Sequence, residues 1–182
     1  MNTNNLTSQQ KIGLNYMQDV KQKITRSQIE EVGDVLKVIL RKVDASCEFA
    51  IVGSYRRGSN ASKDIDIVIH QTSDETDDNL LMKFVARLDE VGVKVLSLGM
   101  NNFIGFVKIG DIWRHVDIWY ANKQNLPFML FAKTNSKSAN IRFRLEAHRK
   151  GYKLNEYGLY NLDTKEPMNL HTEEDIFTFF GY

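Results

Sequence analysis

Apolar positions along this chain fall first at helical spacing, then alternate, then return to helical spacing. In LTSQQKIGLNYMQDVKQK (6–23), Ile12, Leu14, Tyr16, Met17 and Val20 recur on a helical repeat. ITRSQIEEVGDVLKVILRKV (24–43) continues it with Ile29, Val32, Val35, Leu36, Ile39 and Leu40. Ser27, followed three residues later by Glu30, predicts a capping box for this second helix. EFAIVG (48–53) reads as a strand stopping at a glycine, and IDIVI (65–69) as a buried strand. QTSDETDDN (71–79) is an acidic surface loop, and LLMKFVARLDEVG (80–92) an amphipathic helix ending at Gly92. VKVLSLG, NNFIGFVKI and IWRHVDIWY alternate as three strands, the last two joined through Gly110-Asp111 as a hairpin. Helices are expected over 124–134 and 136–150, stopping at Gly151. Short strands and turns follow, then a final helix capped by Thr172 and Asp175. The change of texture near residues 120–135 separates a mixed sheet layer from a smaller second unit.

Composition narrows the class. With 182 residues, 42% of them hydrophobic and only two prolines, the chain is expected to be globular. No apolar run approaches the length of a membrane span, and MNTNNLTSQQK lacks the apolar centre of a signal peptide. The single cysteine, Cys47, reads as a small residue entering a strand, so a soluble, intracellular protein without internal disulfides is expected. Net charge is +1, so affinity for nucleic acid would need a local patch. Residues 133–153 carry one: Lys133, Lys137, Arg142, Arg144, Arg149, Lys150 and Lys153 against the single acid Glu146. The alternative is a solvated helix face.

Candidate chemistry sits on the strands. Asp64 and Asp66 alternate with isoleucines and so share one face. Two carboxylates about 4 Å apart repel by roughly 4 kcal/mol at an effective dielectric near 20, so a cation between them is expected. Asp117 in RHVDIWY is flanked by Val116 and Ile118 in the same manner. If its strand neighbours the first, three carboxylates converge. Such oxygen ligands suit Mg²⁺ or Mn²⁺, and two such ions would stabilise the attacking and leaving oxygens of a phosphoryl transfer. The alternative is a pair of surface aspartates on a half-exposed strand. Upstream, Gly53 permits close approach to a phosphate, Ser54 can donate to it, and Arg56 and Arg57 offer bidentate forks.

Gly-Ser, nine residues, then Asp-Ile-Asp, with Val52 ahead, resembles the signature of nucleotidyltransferases of the polymerase beta superfamily. Together with HVDIW and HRKGYKLNEYGLY, the order and spacing over residues 6–180 resemble X-family DNA polymerases, and the closing segment is similar to short viral members built of palm and thumb. The resemblance implies an α+β fold: a nucleotidyltransferase palm with a mixed β-sheet flanked by helices (46–125), a small α/β thumb (126–182), and a helical fingers-like remnant (1–45) packed on the palm. It also implies a monomeric, template-directed DNA polymerase. That enzyme would add dNTPs to a primer 3′ end on gapped or primer–template DNA with two Mg²⁺ (or Mn²⁺), inside a host cell or virion if the source is viral. Asp64 and Asp66 would bridge both metals, and Asp117 would ligate the one that activates the 3′-hydroxyl. Ser54 and Arg57 would hold the triphosphate, with Gly53 giving close approach. Asn140 and Arg144 would contact the nascent base pair, and Lys23 would reach the phosphates. Lys133, Arg142, Lys150 and Lys153 would contact DNA. The resemblance further implies that the sequence starts inside the family's fingers region, so the family's N-terminal lyase domain is expected to be absent.

Several positions depart from the family pattern. His115 stands where Arg is usual, Lys63 where Gly is usual, and Ala132-Lys133-Thr134-Asn135-Ser136 replaces an aromatic pair followed by Thr-Gly-Ser. A one-residue slip would put Phe131 in the aromatic place. Two rivals are a template-independent nucleotidyltransferase and a non-catalytic DNA-end-binding protein. His70, His148 and His171 read as surface or structural, Phe177, Phe179 and Phe180 as thumb core, and Trp113, Trp119 and Tyr120 as packing around the hairpin.

Overall fold

The computed structural model describes residues 6–72 and 77–182, so the middle of the acidic loop lies outside the described residues. The first helical stretch forms in two pieces, α1 (Ser8–Asn15) and α2 (Met17–Lys21), neither of which buries a residue. They rest on the sheet through Tyr16, whose ring lies 5.3 Å from Phe106 and 4.7 Å from Trp113. A two-residue strand, β1 (Ile24–Thr25), interrupts the helical run before α3 (Arg26–Val43). The capping box of α3 is Thr25 with Gln28, not Ser27 with Glu30. The reason lies in strand pairing: β1 pairs with β3 (Ala61–Ser62), which holds Thr25 extended, so the helix has already begun at Ser27. Glu30 instead accepts a hydrogen bond from the Tyr55 hydroxyl at 2.8 Å. Helical periodicity then buries Ile29, Val32, Leu36, Ile39 and Leu40 on one side of α3.

The central sheet comprises β2 (Cys47–Ile51), β4 (Ile65–Gln71), β5 (Val93–Leu98), β6 (Asn102–Ile109) and β7 (Ile112–Ala121), in the order β2-β4-β7-β6-β5. All neighbours are antiparallel except β4 and β7, which run parallel. The tight β6–β7 hairpin pairs Ile109 with Ile112, and Gly110 at φ +60° supplies the backbone conformation the turn needs. One face of the sheet is covered by α3 and α5 (Leu80–Arg87). Ile65, Ile67, Ile69, Val116 and Ile118 meet Leu36, Leu40, Leu80, Leu81 and Phe84 there, each at most 1% exposed.

The opposite face is half apolar and half polar. Val52, Val68 and Ala121 pack against Met129 of α6 (Leu126–Thr134), with Trp119, Leu126 and Leu130 at the margin. Toward the start of β4 that face carries the aspartates instead. The other side of α6 contributes Phe128 and Phe131 to a second core. α7 (Lys137–Arg149), the hairpin of β8 (Tyr152–Asn155) and β9 (Gly158–Asn161), and α8 (Glu173–Phe179) complete it with Phe143, Leu154, Leu159, Ile176 and Phe180. Thr172 and Asp175 form the expected capping box of α8, and Phe177 and Phe179 pack at the core's edge.

Candidate active site

The parallel register of β4 and β7 sets Asp66 directly opposite Asp117. Both point away from the isoleucine core, because alternation puts Ile65, Ile67, Val116 and Ile118 on the other face. Asp64, which the alternation puts within the strand, stands in the bend just before it, since β4 begins at Ile65. Its charge still reaches the pair. Burial, then Asp64, then Asp117 push the Asp66 carboxyl up to about 7, against the opposing charges of Arg57 and Lys133. Asp117 is raised as well, by burial first, with His115 opposing and Asp64 adding to the rise. His115 Nδ1 lies 3.6 Å from Asp117 Oδ1, and that buried oxygen has no hydrogen-bond partner.

A buried carboxylate oxygen left without a donor, beside a second carboxylate, is an arrangement completed by a cation. Among the described residues no group of three or more His, Cys, Asp or Glu side chains is arranged as it stands to hold a metal ion, so the aspartate cluster would have to close further to do so. Its donors are hard oxygens, the chemistry that Mg²⁺ and Mn²⁺ require.

The turn above the carboxylates is shaped by glycine. Val52 N–H donates to Asp66 O at 2.8 Å, tying the chain down, and α4 (Gly53–Arg56) starts immediately after. Gly53 has φ +59°, and a Cβ there would lie 1.8 Å from Asp66 Oδ2. No side chain fits. Ser54 Oγ lies 2.6 Å from Ser62 Oγ, so its hydroxyl is engaged with β3. Arg57 donates to Thr134 O at 2.8 Å, which holds its guanidinium across the gap between the sheet and α6. Arg56, named in the sequence only as a second phosphate fork, instead bonds Glu173 at 2.8 and 2.6 Å and Thr134 Oγ1 at 2.8 Å. Nothing in the sequence pattern singles out Glu173, far along the chain, as its partner.

The basic stretch does not act as one row. Lys133, a DNA-contact candidate by sequence, lies half-buried over the Trp119 ring, Nζ 4.1 Å from the centroid, and its charge acts on Asp66 and Asp117. The reason is its place on the inward stripe of α6 after Leu126, Met129 and Leu130. Arg142 is exposed beside the Phe143 and Tyr182 rings, and Lys150 donates to Phe179 O at 2.9 Å. Lys153 is exposed on β8, and Lys23 is exposed just before β1. Asn140 Nδ2 donates to Ala132 O at 2.7 Å, and Arg144 reaches Glu156 at 3.4 Å. Phe131, the ring that a one-residue slip would bring to the hinge, is 2% exposed and edge-on to Phe143 and Phe177 at 4.9 and 5.1 Å. His70 is half-buried on β4, and His148 and His171 are exposed.

Comparison with known proteins agrees with this arrangement. Residues 23–123 match the DNA polymerase beta palm model and residues 129–182 the DNA polymerase beta thumb model. DNA polymerase lambda of Arabidopsis thaliana is 28% identical over 205 residues, covering 100% of this chain, which spans 39% of that longer protein. Repair DNA polymerase X of African swine fever virus (isolate Pig/Kenya/KEN-50/1950) is 27% identical over 163 residues, covering 87% of this chain and 86% of the viral one. The crystal structure of Leishmania infantum polymerase beta in a ternary P/T complex superposes with a TM-score of 0.89 at 25% identity, covering 97% of this chain and 80% of that one. A palm and a thumb matched in series, over a sheet that aligns its aspartates, place this chain in the polymerase beta family, the X-family DNA polymerases.

Proposed function

We propose that this protein adds dNTPs to a primer 3′ end under the direction of a template, filling gaps in DNA repair. The observation that carries the reading is the parallel register of Asp66 and Asp117 beneath the Gly53 turn, with Asp64 alongside. Asp64, Asp66 and Asp117 would hold two Mg²⁺ (or Mn²⁺), ions that lower the pKa of the primer hydroxyl and neutralise the departing pyrophosphate.

The rest of the work is positioning, as phosphoryl transfer demands. The sheet fixes the directions in which Asp66 and Asp117 present their oxygens, because their strands are locked by the isoleucine core beneath. The missing side chain at Gly53 leaves room for the Asp66 carboxylate itself, whose Oδ2 a Cβ would meet at 1.8 Å. Ser54 and Arg57 would be the donors to the triphosphate, and Arg57 already lies close enough to stabilise the Asp66 charge. Asn140 and Arg144, one helical turn apart on α7, are read as the contacts to the nascent pair. Arg142, Lys150 and Lys153 are read as contacts to DNA phosphates. We assign residues 46–125 to the palm, 126–182 to the thumb and 1–45 to a helical remnant, acting as a monomer. Among the described residues no helix is long and apolar enough to cross a membrane, and an intracellular site of action fits a substrate of this kind.

The test is incorporation of a single labelled dNTP with Mg²⁺ on a gapped duplex, compared with single-stranded and blunt DNA. Extension only when the dNTP matches the template is the expected result. Equal addition of all four nucleotides on single strands would replace this reading with template-independent transfer. No addition on any substrate would leave DNA binding alone.

A further inference from the structure

The apolar stripe of α6 ends in a charge. Leu126, Met129 and Leu130 pack on Val68, Ala121 and Trp119, and the next position on that side of the helix is Lys133. Trp119 follows Asp117 by two residues on the same face of β7, and its register partner Val68 follows Asp66 in the same way on β4. Lys133, seated on Trp119, therefore stands where the apolar half of the face gives way to the carboxylates. Burial disfavours its ammonium charge, while Glu156, Asp117 and Asp66 favour it. A lysine suits the place because its compact charge sits on a flexible stem that can move away.

We propose that Lys133 is the resident counter-cation of the catalytic carboxylates: it competes with divalent metal for Asp66 and Asp117 in the nucleotide-free enzyme, so that metal enters together with the triphosphate rather than ahead of it. The inference rests on the assignment of these aspartates as metal ligands. Once a triphosphate arrives, its own negative charge engages the ammonium and releases the carboxylates.

The experiment is Mn²⁺ binding to the nucleotide-free protein, with free Mn²⁺ read by electron paramagnetic resonance, for wild type, Lys133→Met, Lys133→Arg and Asp66→Asn. At the dielectric of water and low salt, a unit charge within about 8 Å of a dication changes its affinity roughly sixfold, and about twofold at about 0.1 M salt, so Lys133→Met is expected to bind Mn²⁺ several-fold more tightly at low salt. Lys133→Arg should bind as wild type does, and a non-hydrolysable dNTP should shrink the difference. Met keeps the stem against Trp119; should that variant fail to fold, Lys133→Gln makes the same comparison. Equal or weaker Mn²⁺ affinity in the neutral variant overturns the proposal. Binding undiminished in Asp66→Asn would instead overturn the ligand assignment, so the two failures are distinguishable.

Discussion

Glu173, the first residue of the last helix, holds Arg56 of the palm by two hydrogen bonds of 2.8 and 2.6 Å, and the same guanidinium reaches Thr134 Oγ1. Two-pronged geometry is the strong form of an ion pair, and this one joins the sheet layer to the thumb. Arg56 is still 39% exposed in its side chain, so solvent screening reduces its worth. A double-mutant cycle with Arg56→Met and Glu173→Gln is expected to give a coupling of about 0.5–1 kcal/mol in urea unfolding at low salt, falling as salt is added. A coupling indistinguishable from zero at low salt would mean the pair does not hold the thumb.

Asp66→Asn and Asp117→Asn should each reduce nucleotide incorporation by on the order of 1000-fold or more, since several kcal/mol of metal stabilisation is lost. Affinity for DNA should stay the same or rise, because one negative charge fewer repels the phosphates of bound DNA. Relief of repulsion should also raise the melting temperature of the metal-free protein, by roughly 2–4 °C per kcal/mol relieved. Ready primer extension by Asp117→Asn would remove the site assignment.

Gly53→Ala combines backbone strain at φ +59° with a collision on Asp66 Oδ2. The expected cost is about 2 kcal/mol of stability, with incorporation lost because Asp66 must move. Gly58→Ala is the control: its φ is +85°, but a Cβ there meets nothing within 4 Å. It should cost about 1 kcal/mol and leave turnover intact. Equal losses of activity in the two variants would show that strain, not the approach to Asp66, decides.

With Phe131 committed to the thumb core, Ala132 is left at the hinge where the family resemblance implies a ring against the sugar. Exclusion of a hydroxyl by shape alone reaches only on the order of 100-fold, so the ratio of kcat/KM for a dNTP over its rNTP is expected to stay below about 10⁴. Ala132→Tyr should raise it. A wild-type ratio above about 10⁴ on a gapped substrate would contradict this.

Asp44 accepts hydrogen bonds from Ser46 N–H at 2.8 Å, Ser46 Oγ at 2.7 Å and Gln71 Nε2 at 3.1 Å. The Ser46 bonds, hydroxyl first, hold its carboxyl below the usual range. A depressed carboxyl adds stability above its unfolded pKa of about 3.9 and loses it as pH falls through the lower, folded value. Asp44→Asn should therefore flatten the acid limb of a stability–pH curve below about pH 4 and change its slope little near neutrality. An unaltered acid limb would show these bonds carry no linkage.

Local chemistry was readable from the chain alone. The two-residue period that buries Ile65, Ile67 and Ile69 also turns Asp66 to the other face, because successive side chains on a strand must point oppositely. The Gly110 turn and the Thr172–Asp175 cap were legible for the same reason: each is settled by backbone geometry and hydrogen bonds within a few residues. The α3 cap shows where that reach ends. Ser27 and Thr25 are both competent caps, and the choice fell to a pairing of β1 with β3 formed far along the chain. The parallel register of Asp66 with Asp117, the grip of Arg56 on Glu173 and the turn of Lys133 toward the carboxylates belong to the same class. Each depends on which apolar faces are buried together, and burial is non-directional, so it leaves no mark at a fixed spacing along one segment. Residue order names the candidate ligands and the faces they occupy; the packing of α6 and β7 against β4 brings them into one site and sets which cations stand beside it.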